Sequence, residues 1–173
     1  MAVLSNPFKC PGNAAKFEFE RVMCVEQHET LDMLQESPAF ASIAGLPDAA
    51  AFIAQLSARL ETRDVPRGTI VIEKGDSSSR APEMYFVKAG AVAVHVELEH
   101  PPVTQLGPGE SFGEVALMRE DNPSRNAYVK AIRETVLYVL HKTALQEAVK
   151  PFPDLRAAMA GDVEVLTERR TMG

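Results

Sequence analysis

The sequence predicts an α+β protein in which a small antiparallel barrel or jelly roll lies between two helical zones. Three observations lead there. Short β-branched and aromatic runs recur between about residues 61 and 143, separated by Gly- and Pro-bearing turns. Apolar residues return at three- and four-residue steps on both sides of that stretch. No strand–helix–strand alternation of the parallel, nucleotide-fold kind interrupts it. At 173 residues, 46% apolar and 24% charged, the chain suits one ordinary domain with helical decoration. Disordered, collagen-like and disulfide-scaffold classes are excluded by the same numbers.

The first zone, residues 1–60, opens loosely on Asn6-Pro7 and Pro11-Gly12. From Lys16 to about Gln35, Phe19, Val22, Met23, Leu31 and Leu34 fall on one helical face. Ser37-Pro38 interrupts it, and a short segment from Phe40 to Ile43 leads to Gly45-Leu46-Pro47-Asp48. Pro47-Asp48 is expected to open a second helix that buries Phe52, Ile53, Leu56 and Leu60.

The middle zone, 61–143, holds strand runs around Val65, Ile70–Ile72, Tyr85–Val87, Val92–Val96, Val129 and Val136–Val139. Pro66-Arg67-Gly68, Gly75-Asp76, Ala89-Gly90 and Gly107-Pro108-Gly109 supply the turns. In the last zone, 144–173, a helix over Thr143–Val149 is stopped by Pro151-Phe152-Pro153. A second helix from Asp154 carries Leu155, Met159, Val163 and Leu166 along one stripe, weakened at Gly161.

Charge narrows the partners. Lys and Arg total 18 against 24 Asp and Glu, a net −6, with no basic block, which disfavours nucleic acid. Cys10 and Cys24 match no metal spacing and read as reduced thiols of a cytoplasmic protein. The N-terminus has no signal-peptide pattern. The most apolar stretch, Ala49–Leu56, is broken by Gln55 and is far shorter than the roughly 20 residues of a membrane span. Direct membrane insertion by this segment is therefore not expected, although it could be the cytosolic part of a membrane protein.

One segment departs from the barrel pattern: Ser111-Phe112-Gly113-Glu114-Val115-Ala116-Leu117-Met118, a polar turn, then Arg125-Asn126-Ala127. Glu114 to Met118 are good helix formers, and Gly113 lets backbone approach a ligand closely. A one-turn helix there presents unpaired N–H groups to an anion. Arg125 offers a forked guanidinium for a phosphate, and Glu114 an acceptor suited to sugar hydroxyls. Together they fit a ribose phosphate better than a sulfate or a metal.

Phe112-Gly113-Glu114-Val115-Ala116-Leu117 with Arg125-Asn126-Ala127 resembles the phosphate-binding cassette of cyclic nucleotide-binding domains. Val65-Pro66-Arg67-Gly68-Thr69-Ile70, Glu73-Lys74-Gly75-Asp76, Met84-Tyr85-Phe86-Val87-Lys88-Ala89-Gly90 and Leu106-Gly107-Pro108-Gly109 resemble that family's barrel strands in order. The likeness spans roughly residues 31–160. It implies an eight-stranded antiparallel β-roll, jelly-roll-like, with a cassette at 111–127, an N-terminal helical bundle and C-terminal hinge and lid helices.

The same resemblance implies roles. Glu114 would hold the ribose 2′-hydroxyl and Arg125 the cyclic phosphate; Gly113, Asn126 and backbone N–H groups near Val115, Ala116 and Ala127 would complete the cradle. Leu117 and Phe152 would relay cassette movement, and Val163, Leu166 or Arg170 would close over the base. Asn126 stands where the family often has Ser, Thr or Ala, and the segment from Met118 to Ser124 is a residue or two longer than in many members. The missing Thr leans toward cAMP over cGMP or toward weak discrimination.

Plainer readings compete. Glu114 and Arg125 could form a surface ion pair, Gly107-Pro108-Gly109 is expected to be structural, and Phe112 is expected to be core. His28, His95, His100 and His141 form no metal-ligand set, with His95 expected at a solvent-facing strand position. No catalytic triad or Cys–His arrangement stands out, so no enzyme activity and no cofactor are expected. The expected function is a regulatory domain that binds cAMP or cGMP and converts binding into movement of its C-terminal helix. Its effector would lie in the same or another chain, as in a signalling protein or a cyclic nucleotide-regulated channel. One rival is a degenerate β-roll that serves as a protein-interaction domain; another is a barrel enzyme using Glu114 as acid or base.

Overall fold

The computed structural model describes residues 28–76, 82–118 and 124–159. In chain order these form α1 (28–36), a 3-10 segment (Pro38–Ile43), α2 (Ala49–Ser57), β1 (Glu61–Val65), β2 (Ile70–Ile72) and β3 (Glu83–Ala89). Then follow β4 (Val92–His95), β5 (Thr104–Leu106), β6 (Ser111–Phe112), α3 (Glu114–Met118), β7 (Tyr128–Ala131), β8 (Thr135–His141), α4 (Lys142–Val149) and α5 (153–159). The strands make two four-stranded antiparallel sheets, ordered β1-β8-β3-β6 and β2-β7-β4-β5. This is the α+β roll that the strand spacing predicts.

The first sheet explains why two strands read as unbroken apolar runs. Successive side chains of a strand point to opposite faces, and both faces of β3 and β8 are covered. Tyr85, Val87, Leu137 and Val139 meet Val65 and Phe112 on one face, and Ile72, Val92, Val129 and Ala131 of the second sheet close over them. Met84, Phe86, Tyr138 and Leu140 point the other way into a helical core. A strand buried on both sides loses the polar alternation of a half-exposed one. By contrast β7 alternates between half-buried and buried positions.

Helices from both ends of the described chain share that helical core. Phe52 of α2 is fully buried and lies edge-on to Phe40 and to Phe152, with ring centroids 6.2 Å apart in each pair. Leu34, Ile43 and Leu56 join Leu145, Ala148, Leu155 and Met159 in the same cluster. Edge-to-face rings add stabilisation beyond the area they bury.

Local chemistry sets the helix ends. Pro38 starts the 3-10 segment, and the Ser37 hydroxyl accepts from the Ala39 N–H at 3.4 Å, which is why the first helix stops there. At the next boundary α2 opens just after Pro47-Asp48, with Asp48 in the cap position in a left-handed backbone, φ 68°, and without a side-chain cap hydrogen bond. Leu60 lies beyond the end of α2, half-buried just before β1. The strand around Val92 ends at His95, so Val96 falls in the following turn with half its surface exposed. His95 is half-buried, its Nδ1 3.0 Å from the His100 carbonyl oxygen. At the C-terminal side α4 begins at Lys142, one residue earlier than predicted, and the Phe152 N–H closes on the Val149 carbonyl at 2.9 Å. Cys10, Cys24, the Phe19–Met23 face and everything from Ala160 onward lie outside the described residues.

The β3–β4 turn depends on a glycine. Gly90 has φ +89°, and a Cβ there would lie 2.3 Å from the Glu134 carbonyl oxygen and 2.6 Å from Thr135 Oγ1. Buried Thr135 accepts from the Ala91 N–H at 3.2 Å, so the neighbour cannot withdraw without losing a bond. Gly90→Ala is therefore expected to lower stability by about 2 kcal/mol or more. Urea unfolding of the two chains reads this; coincident midpoints would contradict it.

Candidate functional site

The candidate site forms where β6 runs into α3. Phe112 pairs with Tyr85 across β3–β6, and the two rings stack with centroids 5.0 Å apart. The chain then turns at Gly113, whose φ of +86° suits glycine. A Cβ there would lie 3.1 Å from the Glu83 carbonyl oxygen and 3.2 Å from Arg125 Nη1, so a larger residue would press on the arginine. Downstream, Ala116 is buried, and Leu117 belongs to the helical core with Phe52, Leu145 and Leu155.

Arg125 meets this turn twelve positions later in the chain. Its N–H donates to the Asp76 carbonyl at 3.0 Å, and its own carbonyl accepts from the Gly75 N–H at 2.8 Å. The side chain is half-buried, with Nη1 donating to the Gly113 carbonyl at 3.2 Å and Nη2 to the Glu83 carbonyl at 2.9 Å. One guanidinium thus bridges the cassette turn and the start of β3.

A cavity of about 210 Å³ opens beside it. Gly113, Val115, Ala116, Arg125, Asn126 and Ala127 all line it, so six of the seven predicted ligand residues converge there. Glu114, the seventh, does not line it; it is half-buried and has a partner of its own. Phe112 is core, as predicted, and touches the cavity as well. Leu117 and Phe152 sit in the helical core instead, while Val163, Leu166 and Arg170 lie outside the described residues. The opposite wall comes from Ile72, Val94, Thr104 and Leu106, which the sequence reading did not single out. Strand alternation could have found Val94, which shares its face of β4 with buried Val92.

Behind Arg125 lies a charged network that sequence reading also missed. The Glu83 carboxylate accepts two bonds from Arg63, at 3.0 and 3.2 Å, and one from the Tyr85 hydroxyl at 2.6 Å. His141 bridges Glu83 and Glu61, with nitrogen–oxygen distances of 3.3 and 3.1 Å. The available signal was a lone carboxylate heading the apolar run Met84–Val87. Burial pushes the Glu83 carboxyl up, but the hydrogen bonds from Arg63 and Tyr85, with the charges of Arg63 and His141, outweigh it and hold it below the ordinary range. Burial, then the bond to Glu83, pushes the Tyr85 phenol up to about 12.

A carboxyl that titrates lower when folded adds stability above the ordinary glutamate range, about pH 4. That contribution is lost as pH falls through the lower folded value. Arg63→Ala removes the bidentate partner and its charge, two of the causes that lower it, so the Glu83 carboxyl is expected to titrate higher than in the parent. Carbon NMR of the labelled Glu83 side chain across the acid range reads this, and an unmoved midpoint would contradict it.

Comparison with known proteins places the fold in a family. Residues 62–151 match the model of the cyclic nucleotide-binding domain. A cyclic nucleotide-gated channel of Caenorhabditis elegans is 31% identical over 111 residues, 62% of this chain and 15% of that protein. A cyclic nucleotide-gated potassium channel of Mesorhizobium japonicum is 31% identical over 105 residues, 61% of this chain and 27% of its own length. The chain thus spans well under a third of each of these relatives. Among solved structures, the N-terminal domain of a transcriptional regulator from Streptomyces coelicolor superposes with a TM-score of 0.60 at 25% identity, covering 80% of this chain and 94% of that one. With the family model covering more than half of its residues, the chain belongs to the cyclic nucleotide-binding domain family.

Proposed function

We propose that this domain binds a cyclic nucleotide, cAMP or cGMP, and passes binding on as movement of its C-terminal helices. The observation that carries the reading is the convergence of Arg125 with Gly113, Val115 and Ala116 on one cavity. In this reading the cyclic phosphate docks against Arg125, two of whose N–H groups hold carbonyls while others remain for the ligand. Backbone N–H groups near Val115, Ala116 and Ala127 complete the cradle. Glu114 takes the ribose 2′-hydroxyl, which requires its side chain to turn toward a cavity that it does not line in this structure.

Transmission rests on packing. Leu117 shares a core with α2, α4 and α5, so a cassette drawn toward the phosphate displaces a side chain that those helices touch. Two prolines flank Phe152 and prevent one continuous helix, which makes 151–153 the hinge. Val163, Leu166 and Arg170 would follow and close over the base. The ligand moves this equilibrium only by its difference in affinity for the two arrangements. No catalytic step is required. The domain would serve as a cytoplasmic module of a larger signalling protein or channel; among the described residues no helix is long and apolar enough to cross a membrane.

Calorimetric titration of cAMP and cGMP into the parent and into Arg125→Ala tests the reading. A hydrogen bond to a charged group contributes roughly 1.5–3 kcal/mol, so the variant should bind about 10- to 150-fold more weakly. If neither nucleotide binds the parent at millimolar concentration, the proposal falls, and a β-roll serving as a protein-interaction domain replaces it.

A further inference from the structure

We infer that Glu83 is a positioning residue for the phosphate-binding arginine, tying Arg125 to the first turn of α4. The inference rests on the nucleotide-binding reading above for its consequence, but its geometry stands without a ligand. Glu83 is held at both ends. Its carbonyl accepts from Arg125 Nη2 at 2.9 Å. Its carboxylate takes two N–H bonds from Arg63 and one O–H bond from Tyr85, and lies 3.3 Å from His141 Nδ1. An ionised carboxylate has about four lone-pair sites, so these partners fill it. A residue clamped in this way cannot rotate its peptide freely, and the carbonyl stays aimed at the guanidinium.

The same short stretch also holds the C-terminal helices. Glu83 and His141 face each other at the end of the β3–β8 ladder. His141 directly precedes α4, and the Lys142 N–H donates to the Pro82 carbonyl at 2.9 Å. Pro82 and Glu83 therefore present successive carbonyls, one to the first residue of α4 and the other to Arg125. Displacement of α4 pulls on His141 and Lys142, hence on the peptide that aims the arginine. This route runs through polar contacts at the sheet edge, separate from the apolar packing of Leu117.

The side chain must be an ionised carboxylate to do this. Glu83→Gln keeps the shape but leaves one acceptor oxygen and adds a donor facing the Arg63 guanidinium. Two measurements on the same chains test the inference. In the first, cAMP affinity is measured for the parent, Glu83→Gln, Arg125→Ala and the double variant. Action through Arg125 predicts about a tenfold loss in the parent background, ~1.4 kcal/mol, and almost none in Arg125→Ala. An equal loss in both backgrounds overturns it, because a merely structural carboxylate would weaken both alike.

The second measurement uses nitrogen NMR of the Arg125 side chain without nucleotide. A guanidinium held by two carbonyls should show separate Nη1 and Nη2 signals that merge in Glu83→Gln; unchanged signals overturn the inference. If the parent binds neither cAMP nor cGMP, the functional reading falls while this second measurement still decides the geometry. Should Glu83→Gln fail to fold, Tyr85→Phe keeps the stacked ring and removes one bond to the carboxylate. It is then expected to act in the same direction by about twofold in the same cycle, and no effect on either measurement overturns the inference.

Discussion

The arrangement of this domain depends on one guanidinium held by two backbone carbonyls. Arg125 lies twelve positions after Gly113 in the chain, and sequence separation alone does not aim it there. Its bonds to the carbonyls of Gly113 and Glu83 do so, at 3.2 and 2.9 Å. The Gly113 turn in turn keeps the approach of the guanidinium open, because a Cβ there would lie 3.2 Å from Arg125 Nη1. Sheet edge, cassette turn and loop return are thereby joined at one point beside the cavity.

Around that point the first sheet separates two environments. Its inner face completes the roll, and its outer face carries helices from both sides of the roll in sequence. Leu117 crosses this boundary: its own short helix lines the cavity through Val115 and Ala116, while its side chain lies in the helical core. Cores of this density respond to displacement by moving in packed units rather than by absorbing it. The proposed transmission would need no long pathway, since Leu117 and the helices belong to one core cluster.

The fold was legible because its signals are local. Short strand runs, glycine turns and the prolines at 38, 151 and 153 mark boundaries within a residue or so of those observed. Pro47-Asp48 marked the start of α2 but not the left-handed backbone that Asp48 takes there, since an aspartate at a helix start can adopt either sign of φ. At the site, residue types near Gly113 and Arg125 singled out one segment, and six of the seven residues meet at the cavity. The Arg63–Glu83–His141 network was illegible because its members are far apart in the chain and meet only through strand register. Each alone reads as an ordinary surface charge on a strand. The position of Glu114 off the cavity wall was equally hidden, since spacing on a single helical turn does not say which way the first residue faces.

The central claim is that the cyclic phosphate seats on the cassette itself. Backbone amide NMR of the labelled chain during cAMP addition tests it most directly. The account predicts that the Gly113, Val115, Ala116, Asn126 and Ala127 signals shift together and saturate with one affinity, with Leu117 following. Shifts confined to other surfaces, with these five amides unmoved, would contradict it.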